Sequence, residues 1–373
     1  MCFKPTKNIA ALVVLLLLAG CDEHREEVWL DNLELLPVSS ESSTSDPSFY
    51  SDEILDFDDY FETAGEIQIS DEIVFGDRVN PVIGPQGQIL MLDGEIAGLF
   101  DPSGSLLAHV TPEACNPGYE WTPRRAQFLP EGGFLVFGYS REGYWFDENG
   151  ICTNTFPHRP YTQALVLAAD STVFAAKLSN PEWQLVKYGT RPGEEEILLS
   201  GSNTQLGTRI IAGGLTQGAN GDLYISAFHS PFVYRYREGR LEKLGYMPSY
   251  YKSIPSDLTE AEVNNSNDAM LKVRRVITEH STSGTIFQLD DHSILLGFSN
   301  VDHPNPSTDS PMPGAFHIMD TDGYPITKGS LFRGDIYPVF AGSGSIYTRV
   351  YDDSGRDDAP LNPKIVEYRF ASE

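Results

Sequence analysis

GANGDLYIS at residues 218–226, followed by FVYRYREGRL at residues 232–241, reads as turn, strand, loop, strand, turn and strand. Gly, Asn and Asp supply the positive-φ positions that tight hairpins need. β-Branched and aromatic residues dominate the apolar runs, as in half-buried strands. Versions of this unit recur along the chain, so the stretch predicts a repeated antiparallel sheet.

Six such units can be recognised from their first turns, at residues 84–88, 129–133, 168–172, 218–222, 289–293 and 341–345. An apolar second strand follows each of these turns, and a third strand follows the second. In three units the third strand leads into Asp-x-x-Gly, at Asp101–Gly104, Asp147–Gly150 and Asp320–Gly323. Four antiparallel strands per repeat at this spacing predict an all-β, six-bladed β-propeller over residues 66–373.

The two ends of the repeat region complement each other. The sixth unit stops at Phe370, directly after its third strand, whereas a surplus strand at residues 66–75 precedes the first unit. An open ring would leave unpaired backbone groups at its ends. We therefore predict that the N-terminal strand supplies the outer strand of the last blade and closes the ring.

The longest interval between turns follows the fourth unit and holds an insertion. Ser256 or Asp257 can cap a helix whose apolar positions run from Leu258 to Ile277. One helical insertion is therefore predicted around residues 256–280.

The NGDLYI turn and strand at residues 220–225 and the Phe-Asp-x-x-Gly hairpins resemble those of NHL-like and TolB-like six-bladed β-propellers, which include bacterial lipoproteins. The resemblance covers residues 66–370. It implies the architecture and no particular activity, because propellers carry many functions.

The N-terminus has the pattern of a targeting signal. Lys4 and Lys7 precede a short apolar region at residues 9–18, and LAGC at residues 18–21 follows. The apolar region is too short to span a bilayer. LAGC resembles the bacterial lipobox, which implies a lipoprotein signal peptide at residues 1–20 and lipidation of Cys21; the alternative is a secretory signal with an incidental cysteine. We expect a lipid-anchored protein of the bacterial cell envelope, on the periplasmic face or the cell surface.

Residues 21–65 are predicted to form an acidic, flexible tether; the alternative for its last part is that Leu55, Phe57, Tyr60 and Phe61 dock on the propeller domain. Residues 39–48 are rich in Ser and Thr, and clustered carboxylates follow, a composition that favours extended chain. Asp22 directly after Cys21 resembles an inner-membrane retention signal, whereas the acidic residues up to Glu27 resemble a surface-export signal. The two resemblances conflict, so the sequence does not determine which membrane carries the protein.

The chain is strongly acidic. Lys and Arg total 26 and Asp and Glu total 53, which gives a formal net charge of −27. Such a surface repels phosphate backbones, so nucleic acid is excluded as an expected partner. The remaining cysteines of the exported part, Cys115 and Cys152, fall in neighbouring units, and an oxidising compartment permits a disulfide between them; two buried thiols are the alternative.

Basic residues precede the first strand of each predicted blade. The axial funnel of a propeller is lined by the loops that lead into the first strands and by those that join second and third strands. In so acidic a chain, these residues can form a positive site for an anionic or sugar ligand. Salt bridges to nearby carboxylates are the alternative. The predicted ligand-binding residues are Arg78, Arg124, Arg159, Tyr161, Arg209, His229 and Arg333.

Aromatic residues also fall in these loops: Tyr119, Trp121, Tyr161, Trp183, Tyr250 and Tyr251. Their rings can stack on a sugar or a peptide, and packing between blades is the alternative.

Catalytic and metal motifs are weak. The sequence contains no Gly-x-Ser-x-Gly, no His-Glu-x-x-His and no phosphate-binding loop. DTDG at residues 320–323 resembles the start of a calcium loop, but Leu331 stands where that loop needs a Glu, so a turn is favoured. No catalytic residue, metal ligand or cofactor is therefore assigned.

Two functions follow from these patterns. The first is a lipid-anchored envelope binding or scaffold protein that engages a protein, peptide or glycan through the propeller funnel and loops. The second is a funnel-centred, metal-dependent hydrolase or lyase, supported by the acidic and His-bearing loops at residues 302–309 and 352–358. The sequence leaves enzymatic activity open and favours the binding function.

Overall fold

The structure is a computed structural model, and it describes most of the chain from Ile54 onward. The described residues are 54–76, 79–118, 121–138, 142–157, 162–167, 172–179, 182–188, 194–202, 214–227, 230–245, 248, 250–252, 279–299, 301, 314–327, 329–332, 338–351 and 361–371.

Within these ranges the strands form six sheets, which are the blades of a propeller. Blade 1 contains β3 (Asn80–Ile83), β4 (Ile89–Leu92), β5 (Ala97–Phe100) and β6 (Leu106–His109). Blade 2 contains β7 (Pro123–Phe128), β8 (Phe134–Gly138), β9 (Glu142–Phe146) and β10 (Cys152–Pro157). Blade 3 contains β11 (Thr162–Leu167), β12 (Val173–Ser179), β13 (Glu182–Tyr188) and β14 (Glu195–Ser202). Blade 4 contains β15 (Gly214–Gln217), β16 (Leu223–Ser226), β17 (Val233–Arg237) and β18 (Arg240–Leu244). Blade 5 contains β19 (Thr282–Gln288), β20 (Ser293–Ser299), β21 (Gly314–Asp320) and β22 (Ser330–Phe332). Blade 6 contains β23 (Pro338–Gly342), β24 (Ser345–Val350) and β25 (Lys364–Phe370).

The first strands of consecutive blades contact one another around the whole ring, in the order β3, β7, β11, β15, β19, β23 and back to β3. In blades 1 to 5 the four main strands pair antiparallel in sequence order from the axis outward, and in blade 6 β23, β24 and β25 do the same. This arrangement confirms the predicted all-β, six-bladed propeller of four-stranded antiparallel blades.

An N-terminal strand closes the ring, as predicted. β2 (Phe61–Gln68) pairs antiparallel with β25, with Phe61 opposite Phe370 and Ile67 opposite Ile365. The strand lies earlier in the chain than predicted, because the segment after Gln68 is a loop. Ile69, Ile73 and Phe75 are nevertheless buried, so their apolar spacing resembles that of a strand.

Residues 54–65, which the sequence placed in the tether, belong to the propeller. β1 (Ile54–Asp56) pairs parallel with β22 at the outer edge of blade 5, and a 3-10 turn (Phe57–Asp59) leads into β2. Phe57 is fully buried, stacks on Phe61 with ring centroids 4.7 Å apart and meets Tyr368 edge-on. The exposed carboxylates around Phe57 gave this segment the composition of a tether, whereas its aromatic side chains determine its position.

The remainder of the predicted tether, residues 21–53, lies outside the described residues, and so does the signal peptide. The predicted helical insertion falls almost entirely within residues 253–278, which also lie outside them.

The hydrophobic core is divided among the blade interfaces. Leu90 and Val110 of blade 1 pack with Phe134 and Tyr144 of blade 2 in one cluster. A second cluster joins Leu295 of blade 5 to blade 6 and the N-terminal segment. Each blade is therefore stabilised by its neighbours, which makes closure of the ring important for the whole domain.

The Asp-x-x-Gly turns dock neighbouring blades onto each other. Gly104, Gly150 and Gly323 have φ values of 86°, 78° and 90°. A Cβ on Gly104 would overlap the Gln68 carbonyl oxygen of β2, and a Cβ on Gly323 would lie 2.9 Å from the Leu244 Cβ. Glycine is needed at these positions both for the positive φ and for the close approach of the preceding blade.

An ionic network reinforces this docking between blades 4 and 5. Arg235, which is 5% exposed, forms salt bridges of 2.7 Å with Glu242 and 2.8 Å with Asp322 and donates a hydrogen bond to the Thr321 carbonyl. Tyr224 donates to the same carbonyl at 2.9 Å. Side chains of the repeat unit at residues 218–241 thus hold the Asp-x-x-Gly turn of the next blade.

A disulfide joins Cys115 to Cys152, with the two Cα atoms 5.8 Å apart. Cys115 ends the 3-10 turn Pro112–Ala114 after blade 1, and Cys152 begins the outer strand of blade 2. The bond therefore fastens the loop between these blades to the outer edge of the second.

Candidate functional site at the loop face

The loop face is the end of the propeller that carries the loops leading into the first strands and the loops joining second to third strands. Its described parts belong mainly to blades 6, 1 and 2, at residues 69–76, 93–96, 110–118, 121–122 and 361–363. The opposite end, the hairpin face, carries the short turns of each blade.

Of the predicted funnel residues, Arg124 lies in the described part of the chain and is exposed at the start of β7. Arg78, Arg159, Tyr161, Arg209, His229 and Arg333 lie outside it. Whether these side chains converge on the axis therefore stays a prediction.

The Arg124 guanidinium reaches from blade 2 to the loop face of blade 1. A Cβ placed on Gly94 would lie 2.7 Å from both the Cζ and the Nη1 of Arg124, so the guanidinium fills the space that a side chain at this position would need. Gly94 has a φ of 96°. The glycine thus permits a close contact between the cation and the Asp93–Glu95 loop.

Asp93 orders this loop through its carboxylate. Its Oδ1 accepts hydrogen bonds from the backbone N–H groups of Glu95 and Ile96, both at 2.8 Å, and its Oδ2 accepts one from Gly76 at 3.0 Å. Burial raises the pKa of Asp93, but the hydrogen bonds outweigh burial and leave the pKa below its usual value. Asp93 is therefore ionised at neutral pH and connects two loops of the face.

Asn362 fixes the junction between blades 6 and 1. The side chain is 1% exposed, and its Nδ2 donates to the carbonyls of Ser70 at 2.7 Å and Ile73 at 2.5 Å. Its Oδ1 accepts from the Phe75 N–H at 3.0 Å. Every polar hydrogen of this amide thus has a backbone partner, and the loop at residues 69–76 is held against blade 6.

Blade 6 contributes two further contacts to the same loop face. Arg349 donates a hydrogen bond from Nη1 to the Val79 carbonyl, and Tyr351 donates one to the Gly76 carbonyl at 3.4 Å. Sequence reasoning missed Asn362 and Arg349 because both act on the backbone of a segment far away in the chain. It missed Asp93 because one of its partners, Gly76, lies in another loop. Only the Asp-Gly pair at residues 93–94 gave a local signal, that of a turn.

The aromatic residues described at the loop face pack between blades. Tyr250 and Tyr251 are both 6% exposed in the cluster between blades 4 and 5. Trp121 lies edge-on to Tyr144, with ring centroids 5.9 Å apart. For Tyr250 and Tyr251 the packing alternative is correct, and the hypothesis of a ligand-stacking surface is wrong. Trp121 also packs between blades but is only half-buried, so a stacking role for its ring stays a prediction. Tyr119 and Tyr161 lie outside the described residues, as does the side chain of Trp183.

A buried His–Tyr pair lies beneath this face. The Nε2 of His317 is 2.9 Å from the hydroxyl of Tyr250, and the imidazole packs edge-on against Phe298 at 4.6 Å. Burial lowers the pKa of His317 to about 3. His317 is therefore a neutral member of the core at physiological pH.

Among the described residues, no group of three His, Cys, Asp or Glu side chains is arranged to hold a metal ion. The Asp320 Oδ1 accepts hydrogen bonds from the N–H groups of Asp322 at 2.9 Å and Tyr324 at 2.8 Å. These contacts agree with the prediction that DTDG forms a turn. The loops at residues 302–309 and 352–358, on which the metal hypothesis depends, lie outside the described residues.

No protein-family model and no curated protein matches the sequence. Solved structures match the fold. A "putative exported protein" from Bacteroides fragilis aligns over 85% of this chain and 97% of its own, with 9% identity and a TM-score of 0.57. A virginiamycin B lyase from Staphylococcus aureus aligns over 83% and 100%, with 8% identity and a TM-score of 0.47. A "putative gluconolactonase" aligns over 85% and 97%, with 10% identity and a TM-score of 0.45.

At these identities the likeness concerns the fold alone. The chain is a six-bladed β-propeller. None of the helices in the described part is long and apolar enough to cross a membrane.

Proposed function

We propose that this chain is a lipid-anchored protein of the bacterial cell envelope that binds a protein, peptide or glycan through the loop face of its propeller. The observation that carries the proposal is a loop face whose described loops are held by hydrogen bonds and on which Arg124 is exposed at the start of a first strand. Pre-organised loops and an exposed guanidinium favour an anionic or sugar ligand.

Export has support from two parts of the chain. LAGC at residues 18–21 has the pattern of a lipobox. The bond between Cys115 and Cys152 belongs to an oxidising compartment, because cytosolic reductants keep such thiols reduced. A lipid on Cys21 would hold the propeller at the membrane.

Anchoring is tested by metabolic labelling with a radioactive fatty acid in a bacterial host. The wild-type chain should incorporate label and sediment with membranes, whereas Cys21→Ser should do neither. Label in the Cys21→Ser variant, or membrane association without label, would contradict the assignment.

Ligand binding is tested by screening the Cys21→Ser chain against glycan and peptide arrays. A ligand of the funnel should bind at least about tenfold more weakly to Arg124→Ala, which corresponds to about 1.4 kcal/mol. Arg240→Ala is the matched control, because Arg240 is an exposed arginine on the outer strand of blade 4. Equal losses of affinity in both variants would indicate a general effect of charge and would contradict ligand binding in the funnel.

Elemental analysis separates this function from a metal-dependent hydrolase or lyase. A tightly bound divalent cation present at one per chain would favour the enzyme. The binding function predicts that arrays detect a ligand whose affinity does not change after treatment with a chelator.

A further inference from the structure

Residues 250–252 pack into the seam between blades 4 and 5 without belonging to a strand, and we call this segment the latch. Tyr250 and Tyr251 are each 6% exposed, in the apolar cluster that joins the two blades. The Tyr251 ring meets Phe298 of β20 edge-on, with ring centroids 5.6 Å apart. The latch is therefore part of the core at the connection from blade 4 to blade 5.

Local hydrogen bonds, rather than strand pairing, hold the latch. The Tyr251 N–H donates to the Pro248 carbonyl at 3.1 Å. The Lys252 N–H donates to the Ser281 hydroxyl at 2.8 Å, and the Ser281 N–H donates to the Lys252 carbonyl at 2.9 Å. β21, in contrast, pairs with β20 along all of its seven residues. Since a segment without strand pairs opens at a lower free energy than the sheet beside it, the latch can separate while the blade remains intact.

The latch contacts a buried imidazole of β21. His317 is 3% exposed, and its Nε2 lies 2.9 Å from the Tyr250 hydroxyl. His317 also lines a small cavity together with Gly245, Met319 and Gly323, with room for about one water molecule. Separation of Tyr250 uncovers Nε2, and the cavity lets water approach the same ring.

The surroundings of His317 do not stabilise a cation. Burial alone lowers its pKa to about 3, without a contribution from a charged neighbour in the described part of the chain. The neighbouring strands β20 and β22 contain no titratable side chain. The titratable groups on the other elements packed around the imidazole are Tyr250, Tyr251 and Lys252 of the latch, Asp320, Asp322 and Tyr324 of the adjoining turn, and Glu242 and Lys243 of β18. Protonation of His317 is therefore favourable only when water reaches the ring.

We infer that residues 250–252 form a pH-sensitive latch, which protonation of His317 releases from blade 5 while the six blades stay paired. The docked latch is most stable above pH 6.5, where the imidazole is neutral in both states, and it weakens as the pH falls towards 3. Between pH 7 and pH 5 these two values increase the equilibrium constant for opening about 25-fold. The inference goes beyond the proposed function, because the latch responds to protons and needs no ligand.

Hydrogen exchange measured by mass spectrometry at pH 7 and pH 5 tests the latch in the full chain carrying Cys21→Ser. After correction for the intrinsic pH dependence of exchange, the opening constant of the Tyr251 and Lys252 amides should increase about 25-fold in acid. The amides of β20 should remain better protected than those of the latch at both pH values. Equal protection of the latch and of β20 would overturn the inference, because the two would then open only together.

His317→Gln should abolish the acid response of the latch. His292→Gln is the matched control, because His292 is an exposed histidine of the same blade, and this variant should keep the response. An acid response of the same size in His317→Gln would overturn the inference.

Tyr250→Phe keeps the buried ring and removes only the hydroxyl that contacts His317, so it tests the latch even if His317→Gln does not fold. This variant should increase the opening constant several-fold at both pH values and keep the acid response. An opening constant equal to that of the wild type would show that Tyr250 does not hold the latch, and would also overturn the inference.

Discussion

At the scale of single residues, buried polar side chains carry out tasks that the sequence does not reveal. Asn362 satisfies three backbone groups of a loop nearly 290 positions away in the chain, and Asp93 satisfies backbone groups in two separate segments. An asparagine in such a position cannot be replaced by its acid without loss, because its amide is required as a donor.

Asn362→Asp should lower the free energy of unfolding by about 3 kcal/mol at pH 7. The new carboxylate would face the carbonyls of Ser70 and Ile73, which now accept from the amide. Urea unfolding measures the change. Asn154→Asp is the control, because Asn154 is exposed and its side chain acts as an acceptor for the Thr155 N–H. Comparable losses in both variants would show that Asn362 is not a special position.

His317 should give the protein a specific loss of stability in acid. Burial lowers its pKa from 6.5 to about 3, so between these values the unfolded chain binds a proton that the folded protein does not. Stability from this group is complete above pH 6.5 and falls as the pH decreases towards 3. Between pH 7 and pH 5 the loss amounts to about 2 kcal/mol.

Urea unfolding at pH 7 and pH 5 tests this prediction in His317→Gln and in the wild type. The variant should be less stable at pH 7 but should lack the acid-dependent loss of about 2 kcal/mol. The exposed His109, replaced in His109→Gln, serves as the control. An unchanged pH dependence in His317→Gln would contradict the assignment.

At the scale of elements, equivalent turns between third and fourth strands have different energetic roles in different blades. Gly104 and Gly239 have φ values of 86° and 82°, but a Cβ on Gly104 would overlap the Gln68 carbonyl, whereas nothing lies within 4 Å of one on Gly239. Gly239→Ala should therefore cost about 1 kcal/mol for the positive φ alone. Gly104→Ala should cost about 2 kcal/mol more, because β2 must move. Thermal unfolding of the two variants measures the difference, and equal costs would show that the turn does not dock onto β2.

The N-terminal segment should decide whether the propeller folds. A chain that begins at Asp52 retains β1, Phe57 and β2, whereas a chain that begins at Glu66 loses Phe57 and Phe61, both nearly fully buried. Loss of two buried aromatic side chains costs several kcal/mol, comparable with the whole stability of a domain. The shorter chain should aggregate or lack near-ultraviolet circular dichroism. A monodisperse short chain with an unchanged Tm would contradict the role of β2 in ring closure.

At the scale of the whole molecule, the ring is strengthened by links between blades: the N-terminal strand, the docked turns and the disulfide. The bond between Cys115 and Cys152 closes a loop across a sequence separation of 37 residues. In the chain-entropy account, such a loop contributes about 4 kcal/mol to stability. The double variant Cys115→Ser/Cys152→Ser should lose about this amount in urea unfolding. The wild type measured with reductant should approach the variant, and no effect of reductant would indicate that the bond is not formed in solution.

The sequence alone determined the architecture, because hairpin chemistry and period-2 apolar strands are local properties. Turns rich in Gly, Asn and Asp marked six blades, and counting strands showed that the last blade lacked one and that the N-terminus had one to spare. Even the ring closure could thus be predicted, although the register of β2 could not. Buried loop residues such as Ile73 have the alternating spacing that is typical of a strand. Only their contacts in the folded protein show that the segment is a loop.

Only the tertiary structure decided which polar and aromatic residues serve the fold and which remain exposed to a ligand. Tyr250 and Tyr251 have loop-like positions in the sequence but are buried, whereas Val74 and Leu361 look like core residues and are exposed. In the sequence, the carboxylates around Phe57 indicated a tether. In the structure, burial of the Phe57 ring places this segment in the propeller. The physical reason is that burial and hydrogen bonding depend on contacts between blades, which join residues hundreds of positions apart and leave no local pattern.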